Sequence, residues 1–188
     1  MFIIGISGSR CVGKDTFYQI LYSLNNRFKR YAFADALKYD LHPLISTQFN
    51  IDLFNVGPYE KEIIRPIMIA YGTAWRTFDK NHWVKKVYNQ IHNEYVYEKT
   101  IIPVITDIRY DNELLFLREK FGKKFIHIQL SRVNGPEPTI EEMESLIAIQ
   151  SLGDADVHIN WGNNTEKEMV NIVKKVYEKY NHYLFKNE

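Results

Sequence analysis

Gly8 and Gly13 stand with four residues between them, and Lys14 follows at once in the stretch GSRCVGKDTF. G-x-x-x-x-G-K is the spacing of a phosphate-binding loop, with Asp15 where a serine or threonine usually completes it. The chemistry of such a loop is anion capture. Glycines let the backbone turn so that several N–H groups point at one phosphate. A helix that begins at the loop adds its partial positive charge, and the lysine reaches the outer phosphates. The alternative is a glycine-rich turn carrying a solvated lysine.

Other residues further along the chain have types suited to phosphoryl chemistry. Asp107 ends the apolar run IIPVITD, where a carboxylate can help hold the magnesium of a nucleotide or orient an attacking group. Arg109 lies two residues on, on the same face if the chain stays extended; a strand-end ion pair is the competing reading. Arg65 interrupts the apolar stretch Ile63, Ile64, Ile67, Met68. It must be a buried ion pair, a snorkelling side chain or a phosphate clamp, whose planar fork matches phosphate oxygens. Trp83 is a core residue or a platform for a base. Arg132 closes IHIQLSR ahead of a Gly/Pro-rich segment, as a solvated loop arginine or as a stabiliser of transferring charge in a lid. The six histidines show no metal-ligand spacing.

The elements that must position these residues follow from periodicity. Phe2 to Ile6 reads as a buried strand, and Asp15 to Leu24 as a helix with Phe17, Ile20, Leu21 and Leu24 on one face. FKRYAFAD reads as a second strand ending at Asp35. Helices follow over ALKYDLHPLIST, YEKEIIRPIMIAYGTAWR and NHWVKKVYNQIHNEYVY. Pro66 implies a kink or a helix start within the second of these. TIIPVITDIR is a strand, with Pro103 implying its start or an edge-like position. A helix over DNELLFLREKFG is closed by Gly122. The strand KKFIHIQLSR precedes a helix that opens with the capping box Thr139 and Glu142. ADVHINWG is a last strand, and the final helix opens with Thr165 and Glu168. Strands alternating with helices predict a parallel sheet covered on both faces, with ligands at the carboxyl ends of its strands.

Composition narrows the function classes. Lys plus Arg is 24 and Asp plus Glu 23, so the formal charge of +1 gives no basic footprint for a nucleic-acid polymer. No apolar run is long enough to span a membrane, and no signal peptide is evident. Cys11 is the lone cysteine, which rules out an intrachain disulfide or a cysteine zinc cluster. It reads as a tolerated small loop residue, in a cytosolic, reducing compartment. The 188 residues suit one domain.

Together these pieces have a family likeness. The chain resembles the phage- and virus-type deoxynucleoside monophosphate kinases of the P-loop kinase superfamily. GISGSRCVGKDTF, YAFADALK, IRPIMIAYGTAWR, NHWVKK, VITDIRYDNE and DADVHINWGNNTEKEM match in the family's order and cover most of the chain. In that family aspartate follows the loop lysine. Asp15 and the adjacent Thr16 are then the implied Mg2+ contacts, directly or through water. The resemblance implies an α/β, three-layer fold with a central parallel five-stranded sheet. It implies a single domain over 1–188, with a helical acceptor-binding insertion at about 36–98. The Gly/Pro-rich segment and helix at about 132–153 could serve as a short lid, a reading from its own residues because the segment has little motif of the family. Arg10, Val12, Gly13, Lys14, Asp15 and Thr16 would bind ATP. Leu37, Lys38, Arg65, Gly72, Trp83, Asp107 and Asp111 would surround the acceptor. Lys14, Arg65 and Asp107 would act on the transferring group, and the strand-end positions of Arg109 and Arg132 add these two as charge stabilisers beyond what the resemblance implies.

The expected activity is transfer of the γ-phosphoryl of ATP to a deoxynucleoside monophosphate, with Mg2+, in the cytoplasm (the host's, for a viral protein). A kinase for another small phosphorylated acceptor, phosphomevalonate-like, and a non-catalytic nucleotide-binding switch are the alternatives. The 13 tyrosines could line a homodimer interface.

Overall fold

The computed structural model describes residues 1–133, 135–162 and 164–184. Among these residues five strands are interleaved with seven α-helices, three of which follow one another between β2 and β3. β1 is Ile3–Ser7, α1 Lys14–Leu24, β2 Phe28–Tyr31, α2 Phe33–Phe49, α3 Pro58–Phe78 and α4 His82–Tyr97. They are followed by β3 Ile102–Ile108, α5 Asp111–Phe121, β4 Phe125–Arg132, α6 Ile140–Ser151, β5 Val157–Trp161 and α7 Glu166–Leu184.

The chain divides into two compact units, Met1–Tyr31 with Ile91–Glu188, and Ala32–Gln90. The first unit holds the whole sheet, in the order β2-β3-β1-β4-β5, with every pairing parallel. β1 is buried along its full length, as a central strand covered on both faces must be. The edge strands are less covered: β2 buries only its ends, Phe28 and Tyr31, and β5 buries Ile159 and Trp161 in alternation with exposed positions. On one face Ile4, Ile6, Ile126 and Ile128 meet Phe17 and Leu21 of α1 and Val173 of α7. This is the expected α/β architecture with a five-stranded parallel sheet.

Local details differ from the sequence reading at two places. β2 ends at Tyr31, not at Asp35. Asp35 lies instead in the first turn of α2, where a carboxylate complements the helix dipole. α3 begins at Pro58 and continues through Pro66. Proline is well placed at the first helical position, and Glu60 accepts a bond from the Gly57 N–H at 3.0 Å to complete the start. Pro103 stands at a strand start, as one of its two readings had it: it is the second residue of β3, which is an interior strand and not an edge. Pairing of β3 to β1 runs from Val104 onward, so the missing N–H falls before that ladder begins.

The second unit is helical: α2, α3 and the first part of α4. Leu37, Leu41, Ile45, Ile64, Trp83, Val84 and Val87 supply its buried side chains.

Candidate phosphate-binding site

β1 leads straight into the glycine loop, and Gly13 is the residue before α1. Two glycines make the turn feasible. Gly8 has φ 141°, and a Cβ there would lie 2.3 Å from the Leu130 carbonyl oxygen. Gly13 has φ 90°, and a Cβ there would lie 3.0 Å from Nε1 of Trp161. Between them Cys11 takes φ 58°. A non-glycine residue in that region costs about 1–2 kcal/mol, and such strain persists where the surroundings over-determine it. The loop therefore holds a shape that local preference opposes. Val12 is buried beneath it.

Lys14 folds back over this loop. Its Nζ donates to the carbonyls of Gly8, at 2.8 Å, and Ser9, at 2.7 Å. Burial holds its ammonium below the usual lysine range, and the Arg109 charge adds to that; Asp107, Asp15 and Glu142 pull the other way. The sheet order explains the convergence. β3 lies beside β1, so the end of β3 brings Asp107 and Arg109 to the same edge as the loop.

Glu113, buried at the start of α5, shapes that edge. Its carboxylate accepts from the backbone N–H groups of Arg109, at 2.8 Å, and Tyr110, at 3.0 Å. The segment after Asp107 is thereby pinned. Sequence reading passed over Glu113, although a glutamate at the third helical position is a capping signal. Asp111 is exposed, and its Oδ1 accepts from the Asn112 N–H at 2.7 Å.

Asp15 is largely exposed, with its carboxylate 3.5 Å from Nε of Arg30. Thr16 is exposed as well. Arg10 pairs with Glu142 of α6 at 3.8 Å, and its backbone N–H donates to the same carboxylate at 3.3 Å. Arg132 is exposed at the end of β4. Residue 134 of the expected lid lies outside the described residues. The capping box that opens α6 is formed, with Thr139 N–H on Glu142 at 3.1 Å and Glu142 N–H on Thr139 Oγ1 at 3.3 Å. Trp161 was not expected at the site, because nothing in its spacing ties the end of β5 to a loop some 150 positions earlier.

In the helical unit, Arg65 is half exposed and lies 3.6 Å from Glu62, one turn back on α3. Of the sequence readings, a buried ion pair is thus excluded. Ile64 takes the inward position instead. Lys38 pairs with Asp35 at 3.5 Å. Leu37 and Gly72 are buried. Trp83 is only 2% exposed, and its indole N–H donates to the Gly72 carbonyl at 3.2 Å. That is a core placement, which ties α4 to α3.

Among the described residues, no group of three His, Cys, Asp or Glu side chains is set to hold a metal by itself. Asp15 and Thr16 nevertheless fit Mg2+, which takes one or two hard protein oxygens and completes its shell with water and substrate phosphates. Among those residues, no helix is long and apolar enough to cross a membrane.

No family model matches the chain, and neither does any curated protein. Solved structures do. TT1252 from Thermus thermophilus matches with a TM-score of 0.50 at 15% identity, over 95% of this chain and 97% of that one. Shikimate kinase from Aquifex aeolicus matches with a TM-score of 0.48 at 13% identity, over 95% of this chain and 98% of that one. At these identities the likeness to TT1252 concerns the fold.

Proposed function

We propose that this chain is an ATP-dependent kinase of deoxynucleoside monophosphates. The observation that carries the reading is the Lys14 ammonium, held against the carbonyls of a strained glycine loop with Asp107, Asp15 and Arg109 acting on its charge. A turn with a merely solvated lysine would have neither the backbone strain nor the partly buried ammonium.

In the proposed reaction an oxygen of the acceptor's phosphate attacks the γ-phosphorus of ATP. The bond from that phosphorus to the β,γ-bridging oxygen breaks, and ADP leaves. No protein nucleophile is needed, so catalysis is positioning and charge stabilisation. The loop N–H groups and Lys14 would hold the β- and γ-phosphates. Lys14 would exchange the Gly8 and Ser9 carbonyls for phosphate oxygens. Mg2+, held by Asp15 and Thr16, would supply neutralising charge on the phosphates. Asp107 would act at the acceptor oxygen or through water at the metal side. Arg109 and Arg132 would counter the charge that develops on the transferring group.

On the acceptor side, Arg65 supports the reading because its guanidinium reaches solvent and, among the described residues, is paired with Glu62 one turn away. Such exposed pairs are worth little, typically about 0.2–1 kcal/mol, so a phosphate could displace Glu62. Trp83 would contribute by fixing the α3 backbone at Gly72 rather than by presenting a ring face. Lys38, Leu37 and Asp111 complete the proposed acceptor set.

A coupled ADP-release assay across the common nucleoside and deoxynucleoside monophosphates tests this. ATP turnover that depends on a deoxynucleotide supports it. ATP turnover with none of them, or only with a different phosphorylated acceptor, overturns the acceptor assignment.

A further inference from the structure

Glu142 stands out at the phosphate loop because its charge is wrong for an anion site. One carboxylate oxygen accepts from the backbone N–H of Arg10, at 3.3 Å, inside the loop. The other lies 3.8 Å from the Arg10 guanidinium and accepts from the Thr139 N–H at 3.1 Å. The side chain is only 17% exposed. Its charge also reaches the Lys14 ammonium. The carboxylate is therefore fixed beside the loop from two directions, by the cap of α6 and by the loop itself.

We infer that Glu142 sets the nucleotide selectivity of the loop, disfavouring free polyphosphate more strongly than its magnesium complex. The inference rests on the ATP reading above. Its physics is simple. The repulsion between one fixed negative charge and a ligand scales with the ligand's charge. Uncomplexed ATP carries about four negative charges near neutral pH, and Mg2+ cancels about two of them. Whatever factor Glu142 costs the magnesium complex, it costs free ATP roughly the square of that factor. The carboxylate also occupies an N–H that an incoming phosphate oxygen would otherwise use. A phosphate must displace it, and the displaced charge stays near because the capping box holds it.

Glu142→Gln tests this cleanly. Glutamine also completes a capping box, and its one amide oxygen can serve the Thr139 N–H, so the cap is kept while the charge goes and the exposed Arg10 N–H passes to water. ATP affinity is measured by calorimetry at low salt, with excess Mg2+ and separately with a chelator, on wild type, Glu142→Gln and Glu144→Gln. Glu144 is exposed on the same helix and serves as a control for net charge. The expected result is tightening by about threefold for the magnesium complex and about tenfold for free ATP in Glu142→Gln. The difference should shrink in high salt. The melting temperature of Glu142→Gln should stay within a few degrees of wild type, since one exposed hydrogen bond is lost, and Glu144→Gln should behave as wild type. Equal gains for both ligands, no gain, or the same gain in Glu144→Gln would overturn the inference. So would weaker binding of the magnesium complex alone, which would make Glu142 a support for the metal. Wild type that binds ATP under neither condition would sink the ATP reading and this inference together.

Discussion

The indole edge of Trp161 lies against Gly13, with Nε1 3.0 Å from where a Cβ on Gly13 would sit. Gly13 also has φ 90°, a conformation that side-chain-bearing residues rarely adopt. Two independent constraints thus fall on the residue before Lys14. Trp161 is 2% exposed and belongs to the core, so it has little room to yield. Gly13→Ala should therefore lose ATP binding by at least about tenfold, since the loop must deform to accept the methyl group. Calorimetric titration of the variant with ATP measures this. Retained affinity would show that loop shape at Gly13 is not what binds the nucleotide.

Lys14 and Arg65 should fail in opposite ways. Lys14→Ala should remove turnover and weaken ATP first, with a small change in melting temperature, because among the described residues the ammonium's hydrogen bonds are two, both to loop carbonyls. Arg65→Ala should raise KM for the monophosphate and leave KM for ATP nearly unchanged. Losing a charged hydrogen-bonding partner costs about 1.5–3 kcal/mol, which corresponds to roughly tenfold to hundredfold in affinity. Arg65→Lys should recover little, since an ammonium lacks the bidentate fork. The half-exposed setting of Arg65 adds a control: its loss should leave the melting temperature within a degree or two. A large drop in that temperature with both Michaelis constants intact would make Arg65 structural.

Asp107→Asn should lower kcat far more than it lowers ATP affinity. The carboxylate is proposed to act where charge changes during transfer, and an interaction made mainly in the transition state shows in kcat. The measurement is kcat at saturating Mg2+, ATP and acceptor. An unchanged kcat would leave Asp107 as the strand-end partner of a neighbouring cation.

Acid should destabilise the protein through His127. This residue of β4 is buried, with Nε2 2.8 Å from the Ser7 hydroxyl of β1. Burial, with the nearby Arg118 charge adding to it, pushes its pKa from 6.5 down to about 4, although Asp156 opposes the shift. The unfolded chain thus takes up this proton at higher pH than the folded one. Stability is fully present above pH 6.5 and is lost as pH falls towards about 4. The size is on the order of 3 kcal/mol. Thermal melts of wild type and His127→Gln at several pH values across that window measure it. Summed over that window, wild type should lose about that much more stability than the variant; parallel curves would mean that His127 takes its proton in the folded state as readily as in the unfolded one.

The local grammar of the chain was legible without coordinates. The G-x-x-x-x-G-K spacing, the alternation of strands and helices, and the Thr139–Glu142 box all depend on residues within one or two turns of each other, so spacing alone encodes them. Even there, Asp35 was misread, because Phe33 and Ala36 fit a strand end as well as a helix start until the packing of α2 decides between them. The strand order β2-β3-β1-β4-β5 was a different matter. It brings Asp107, Arg109 and Lys14 to one edge, and it rests on pairings between segments far apart in sequence. Whether Arg65 was buried turned on which isoleucine of α3 faced inward, which the all-apolar run around it could not say. Glu142 on Arg10 and Trp161 on Gly13 join positions more than 130 residues apart. No periodicity records such contacts. They arise because the sheet packs its strand ends together, and only the folded chain decides which side chains meet there.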